Sequence, residues 1–292
     1  MNNLLVIGST GQLARALRRL LPNAVFLGRG MLDLSKPETV REVLGNYAPS
    51  AVINAAAYTQ VDNAEKEEAL ATAVNAESPA IMASWCAKKN IPFVSFSTDY
   101  VFDGSGDNAR KEEDAVRPLN AYGRSKAESE KRIVEAGGKY LLFRTSWVYD
   151  ASGKNFLNAI LRLAGEREEL RVINDQFGAP TFAAHLAKAT LNALETALKQ
   201  PSFPSGIYHL CNAGVTTWHG FASAIVEEAR THNVPLQVQR IQPIPATEYP
   251  LPAKRPANSR LDCSKAKAVL NITMPSWRDG VSECMKEKYE NH

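Results

Sequence analysis

The chain has 292 residues, of which 45% are hydrophobic and 22% charged, with a net charge of +3. That length supports a large core in one or two domains, and the charge is too small to argue for a nucleic acid or a membrane surface as partner. Cys86, Cys211, Cys263 and Cys284 are scattered with no CxxC spacing, so thiols in a reducing compartment are expected rather than a disulfide framework. The five histidines (His185, His209, His219, His232, His292) show no ligand spacing and are given no role. No apolar run approaches the roughly 18 residues of a membrane span. The short start at 4–7 lacks the basic flank of a signal peptide, which leaves the cytoplasm as the expectation.

The chain opens with Leu4-Leu5-Val6-Ile7, then Gly8-Ser-Thr-Gly11-Gln12-Leu13-Ala14 and a helical stretch to position 21. Strand, glycine turn and helix are the setting of a dinucleotide-binding turn. Gly8 would make the turn, Gly11 would let a pyrophosphate approach the backbone, and Ala14 would allow close packing of helix on strand. The helix N-terminus would offer its free N–H groups to the phosphates. A glycine-rich turn without a ligand is the plainer alternative.

A second strand at 24–27 ends in Gly28-Arg29-Gly30. The acid that would hold an NAD ribose is missing there, and Arg29 offers a cation for a 2′-phosphate, which favours NADPH over NADH. Asp33 either holds the adenine end or satisfies turn amides. Ser35 is expected to cap a helix over 36–46, with Pro37 in its first turn. After the strand 51–54 come Ala55, Ala56, Ala57, Tyr58 and Thr59, small residues at a carboxyl edge where open α/β sheets bind ligands. Residues 62–90 read as helical, with a break near 77–79 at Pro79.

The strand 91–96 leads to Ser97, Thr98, Asp99 and Tyr100, and a solvated loop follows over 103–118. Helix 119–136 carries Tyr122 and Lys126, four residues apart on one face. An ammonium beside a phenol favours the phenolate, so the pair is suited to proton transfer; a half-buried aromatic beside a solvated lysine is the structural alternative. Strand 140–143 runs into Arg144-Thr-Ser-Trp147. The alternation of strands and helices to this point predicts a doubly wound parallel sheet.

Beyond position 150 the pattern becomes mixed. Helices are expected over 153–167, 181–199 and 217–232, with a short strand at 206–210. Segment 172–181 reads as irregular. The proline-rich segment 235–260 should hold little regular structure. It carries Arg255 and Arg260, which would either clamp a diphosphate or decorate a surface. Trp147 would be a sugar platform or a domain-junction residue. The expected division is a cofactor domain over 1–149, with helix 181–199 packed on it, and a mostly substrate-binding domain over 150–292.

Seven motifs carry a resemblance across most of the chain: residues 8–13, 54–59, STDYVF at 97–102, PLNAYGRSK at 118–126, RTSWVY at 144–149, NDQFGAPT at 174–181 and RPANSRL at 255–261. With them the chain resembles the extended short-chain dehydrogenase/reductases, and within these the sugar-nucleotide reductases. The resemblance implies a Rossmann fold and NADPH-dependent reduction of a dTDP-4-keto-6-deoxyhexose, a step toward cell-surface polysaccharide. Thr98, Tyr122 and Lys126 would be catalytic. Cofactor contacts would come from Gly8, Gly11, Gln12, Leu13, Arg29, Asp33, Leu34, residues 55–59, Phe96, Tyr122 and Lys126. Thr98, Asp99, Tyr100, Trp147 and Arg255 would meet the substrate. Some members link dimers through magnesium at an acid in the first helix; Ala16 stands at that position, so no metal is expected and a homodimer is left open. Two other readings stand beside this one: a reductase or epimerase of another nucleotide 4-keto-sugar, and a non-catalytic NADP-binding regulatory subunit.

Overall fold

A strand buried on both faces needs neighbours on both edges and helices above and below, and the first apolar run has all of these. In the computed structural model, which describes residues 3–290, it forms β1 (Leu4–Ile7). Then follow α1 (Gln12–Leu20), β2 (Val25–Leu27), α2 (Pro37–Gly45), β3 (Ala51–Asn54), the short helices α3 (Val61–Ala64) and α4 (Glu68–Thr72), α5 (Ser78–Lys89), β4 (Phe93–Thr98), α6 (Ala121–Ala136) and β5 (Tyr140–Thr145). His292 lies outside the described residues.

The second half contributes β6 (Val148–Tyr149), α7 (Phe156–Glu166), β7 (Glu169–Ile173), β8 (Phe177–Gly178), β9 (Thr181–Phe182), α8 (Ala183–Lys199) and β10 (Gly206–His209). It closes with β11 (Thr216–Thr217), α9 (Trp218–Thr231), β12 (Arg240–Ile244), α10 (Ser264–Leu270) and α11 (Trp277–Tyr289). Six strands form one sheet in the order β10-β5-β4-β3-β1-β2, every pairing parallel. The chain winds outward from β1 to β2 and then returns to the other side at β3. The carboxyl ends of β1 and β3 therefore flank the crevice where such sheets bind ligands.

One core joins the sheet to α1 and α8 through Leu13, Leu17, Leu186 and Leu194. Another joins its opposite face to α2, α5 and α6 through Val40, Met82 and Ile133. A third core, built by Leu157, Val172, Phe221, Ile225 and Val281, holds α7, β7, α9 and α11 together.

Several local expectations give way. The helix starting at Pro37 is preceded by Lys36, with no side-chain cap; Ser35 instead bonds Asp33 through its N–H and hydroxyl. The expected break at 77–79 is a continuous passage through a wide π turn, Ala73–Glu77, running directly into α5. A wide turn accommodates the missing N–H and the ring of Pro79 without ending the helix. The segment 172–181 contains β8, the end of β7 and the start of β9. The proline-rich segment contains β12, pairing with β7 at a two-stranded edge that tolerates Pro243. Strand 206–209 does not stay in the second half but pairs with β5 in the main sheet. The polar loop 103–118 is bonded to the 258–262 strap, with Arg110 N donating to Arg260 O and Asp262 N to Arg110 O, both at 2.8 Å.

Candidate active site

A cleft of about 940 Å³ opens along the carboxyl ends of β1, β3, β4 and β5. At its first wall Gly8 sits at φ +101°, where an added Cβ would meet Ala56 N at 3.2 Å. The turn is thereby pressed against the β3 end, and Gly11, Gln12 and Leu13 open α1 along the same wall. Gln12 Oε1 is buried without a hydrogen-bond partner among the described residues. The small turn residues, the open helix N-terminus and this unmatched acceptor suit a dinucleotide.

Arg29, Asp33 and Leu34 line the same end of the cleft. The Arg29 side chain is 82% exposed and only 3.7 Å from Asp33. Asp33 accepts from the Ser35 hydroxyl at 2.8 Å and from Ser35 N at 3.1 Å. Those hydroxyl and amide bonds, with Arg29 and Lys36 nearby, hold its carboxyl below the usual range. Asp33 is thus satisfied by its own turn, while Arg29 projects into solvent.

Residues Ala55, Ala56, Ala57, Tyr58 and Thr59 cross the floor. Asn54 shapes their start by accepting from Ala56 N at 3.2 Å. Asn75, on the π turn, accepts from Tyr58 N at 2.8 Å and donates to Tyr58 O at 3.0 Å and to Ser125 Oγ at 2.9 Å. The irregular helix therefore ties the 55–59 segment to α6, a role no sequence pattern marks. The Tyr58 hydroxyl donates to Glu67, and burial and that carboxylate push the phenol up to about 12.

Thr98, Tyr122 and Lys126 face the cleft together with Phe96, Asp99 and Tyr100. Asn120 caps α6 by accepting from Gly123 N at 2.8 Å. A Cβ on Gly123 would run into Tyr100 O, so the glycine following Tyr122 is what lets α6 approach the β4 end. Thr98 Oγ1 donates to Asp99 Oδ1 at 3.0 Å and accepts from Tyr100 N at 3.1 Å. Lys126, only 4% exposed, donates to Phe96 O at 2.5 Å. The rings of Tyr100 and Tyr122 meet edge to face at 5.8 Å.

The electrostatics differ from the expectation that Lys126 lowers the tyrosine. Burial dominates and pushes the Tyr122 phenol up, the nearby Asp99 adds to this, and a hydrogen bond with Thr98 opposes it. The phenol is the neutral donor form at pH 7. Burial brings Lys126 down to about 8, with Glu130 opposing. Burial raises Asp99 to about 6 against the Ser259 and Thr98 hydroxyls, and Asp99 Oδ2 has no hydrogen-bond partner among the described residues.

Trp147 lines the far end of the cleft at φ +48°, a strained region for a bulky side chain. One face of its indole is stacked on Trp218 at 3.7 Å, and its edge covers Gly178. Trp218 in turn donates to Gln176 at 3.2 Å. Arg255 does not join the cleft wall. Its guanidinium grips Asp62 with two bonds of 2.8 Å, and Arg260 lies over the Phe177 ring at 4.4 Å. Sequence reasoning missed Trp218 and Lys154, which both line the cleft. Among the described residues Lys154 makes no ion pair or hydrogen bond. Its loop is held to the first turn of α1 by Arg15, which bonds Ser152 O and Asp150 at 2.9 Å each. No motif marks either residue, because both reach the site from the second half.

Cys211 and Cys263, far apart in sequence, bring their sulfurs to 3.6 Å. His185 lies between Asn212 and Glu283 at 2.9 Å from each. Among the described residues no cluster could hold a metal ion, and no helix is long and apolar enough to cross a membrane.

The sequence profile of the RmlD substrate binding domain matches residues 1–290. The dTDP-4-dehydrorhamnose reductase of Burkholderia thailandensis is 46% identical, over 97% of this chain and 98% of its own length. The fold superposes on a dTDP-4-dehydrorhamnose reductase from Bacillus anthracis solved in complex with NADP, with a TM-score of 0.89 and 33% identity, covering 98% of this chain and all of that one. A crystal structure of a Clostridium acetobutylicum dTDP-4-dehydrorhamnose reductase gives a TM-score of 0.90 at 30% identity, covering 98% and 99%. A cleft with a dinucleotide turn at one end and a Thr-Tyr-Lys cluster at its centre, matched from end to end by these relatives, places the chain in the dTDP-4-dehydrorhamnose reductase family of extended short-chain dehydrogenase/reductases.

Proposed function

We propose that the protein reduces dTDP-4-dehydro-β-L-rhamnose to dTDP-β-L-rhamnose with NADPH, Tyr122 supplying the proton. The observation that carries the reading is the half-buried, neutral Tyr122 beside Thr98 and Lys126 in the cleft that the dinucleotide turn also lines. The half of the chain bearing that turn would hold the cofactor, and the half after position 150 most of the sugar nucleotide. When bound, NADPH supplies the hydride. Gly8, Gly11, Gln12 and Leu13 would hold its pyrophosphate, Arg29 its 2′-phosphate, Asp33 and Leu34 its adenosine. The 55–59 segment and Phe96 would support the nicotinamide end.

Tyr122 then protonates the oxygen on which charge develops. A phenol kept neutral by burial is the competent form for reduction, where the proton is given up. Lys126 is charged below its lowered value near 8 and favours the phenolate that results. Thr98 holds a hydroxyl beside the same position and can donate to that oxygen once it turns from Asp99. Asp99, Tyr100 and the open side of Trp147 would contact the sugar. With Arg255 committed to Asp62, Lys154 is a cation on the cleft wall without an ion pair or hydrogen bond among the described residues, and it takes the place of Arg255 as diphosphate partner.

NADPH absorbance followed with a panel of nucleotide 4-keto-sugars tests the reading. Oxidation with dTDP-4-dehydrorhamnose well above the others supports it. Preference for a different sugar would move the assignment elsewhere in the family, and no oxidation with any of them would overturn the enzymatic reading.

A further inference from the structure

Lys126 carries its charge at 4% exposure with a single hydrogen bond, to a backbone carbonyl. A lone buried ammonium needs a counter-charge, and α6 provides one a turn further on. Glu130 is itself 4% exposed. Its Oε1 accepts from Ser97 Oγ at 2.5 Å and from Arg144 Nε at 2.9 Å, and its Oε2 from Arg144 Nη2 at 2.7 Å. Ser97 and Arg144 stand opposite one another on β4 and β5, so both side chains leave the same face of the sheet and meet under α6. Arg144 is closed from behind by Glu112 O at 3.1 Å, by His209 Nε2 at 3.4 Å and by the Phe102 ring at 4.9 Å. Arginine only donates, so His209 accepts and is neutral there, its ring brought down to about 3 mainly by burial and next by Arg144.

We propose that Glu130, locked by Arg144 and Ser97, is a positioning residue for the reduction: it fixes the charge and place of Lys126 beneath the cleft. Ser97 lies between Phe96, whose carbonyl anchors Lys126, and Thr98. One carboxylate thus ties the lysine's helix to the strand that carries its anchor and the site hydroxyl. The other charged groups around Lys126 are committed or act on Tyr122. Asp62 from α3 is held by Arg255, Glu68 from α4 by Arg124 at 2.7 Å, and Glu65 caps Ala121 N at 2.7 Å. Asp99 acts on Tyr122, and Arg144 and Glu112 lie on the far side of Glu130. Glu130 opposes the effect of burial on Lys126.

The use of the lysine's charge rests on the proposed chemistry, so the test reads Lys126 directly as well as through turnover. Competitive acetylation followed by mass spectrometry gives the amine's titration in the cofactor-free enzyme, and the pH profile of kcat gives the kinetic limb. In Glu130→Gln the titration moves to lower pH by about one unit, a tenfold loss of the ammonium above its midpoint. Glu130→Asp, which keeps the charge, restores most of it. Should Glu130→Gln unfold because Arg144 is left buried and unpaired, the double variant Glu130→Gln, Arg144→Met removes both charges and predicts a smaller shift to lower pH, because loss of the arginine charge partly offsets loss of the carboxylate. A Lys126 titration unmoved in the folded variant overturns the proposal. A titration that moves while the kinetic limb stays in place supports the Glu130–Lys126 link and counts against the lysine's part in the chemistry.

Discussion

The floor and the rim of the cleft are built on opposite terms. In and beneath the floor, Lys126, Glu130, Arg144, Ser97 and Thr98 are nearly water-free, and each makes at least one hydrogen bond of 3.0 Å or less. At the rim, Arg29 stands 82% exposed, Lys154 makes no hydrogen bond or ion pair among the described residues, and Trp147 is held in a strained conformation by Trp218 and Gly178. Groups whose positions are fixed before substrate arrives cost no reorganisation during reaction. Groups left largely in solvent lose little when a phosphate arrives and gain a charge-assisted bond. On the proposed reading the floor serves the chemistry and the rim the binding.

That division has measurable edges. Asp99 belongs to the floor but is not fully satisfied, and burial raises it to about 6 from an ordinary value of 3.8. A folded-state value above the unfolded one favours the protonated fold, so this carboxyl costs stability as pH rises through 6. Asp99→Asn should therefore stabilise the protein at pH 8 by about 2 kcal/mol more than at pH 4.5, read from denaturant midpoints. A gain independent of pH would mean the carboxyl is not strained by burial.

Rim substitutions should be milder and confined to binding. Arg29→Ala should weaken NADPH about tenfold while leaving NADH nearly unchanged; equal losses for both would remove the 2′-phosphate assignment. Smallest of these, Lys154→Ala should weaken the dTDP-sugar about fivefold, an exposed charge contributing roughly 1 kcal/mol. Its effect should fade with added salt, and titration calorimetry with dTDP alone checks it.

The same division marks what the sequence made legible. Gly8, Gly11 and the strand before them are a local device, as are Tyr122 and Lys126 one turn apart, and both could be read from spacing. The rim depends on segments far apart in the chain: Trp218 reaches Trp147 across 71 positions, and Asp62 takes Arg255 across 193. Nothing in the order of residues announces such meetings. Electrostatics misled for a related reason. An ammonium four residues away does favour a phenolate, but burial of Tyr122 is the larger effect here, and burial is a property of the assembled cleft. Ser35 failed as a cap because Asp33, two residues earlier, took its hydroxyl, a local competition that a capping rule does not weigh.

The central claim is that Tyr122 gives the proton while the rim holds the ligands, and Tyr122→Phe tests it most directly. Removing one oxygen should reduce kcat with dTDP-4-dehydrorhamnose by about 10²–10⁴ while the dissociation constant for NADPH, measured by fluorescence titration, stays near the parental value. Near-parental turnover in that variant would contradict the account.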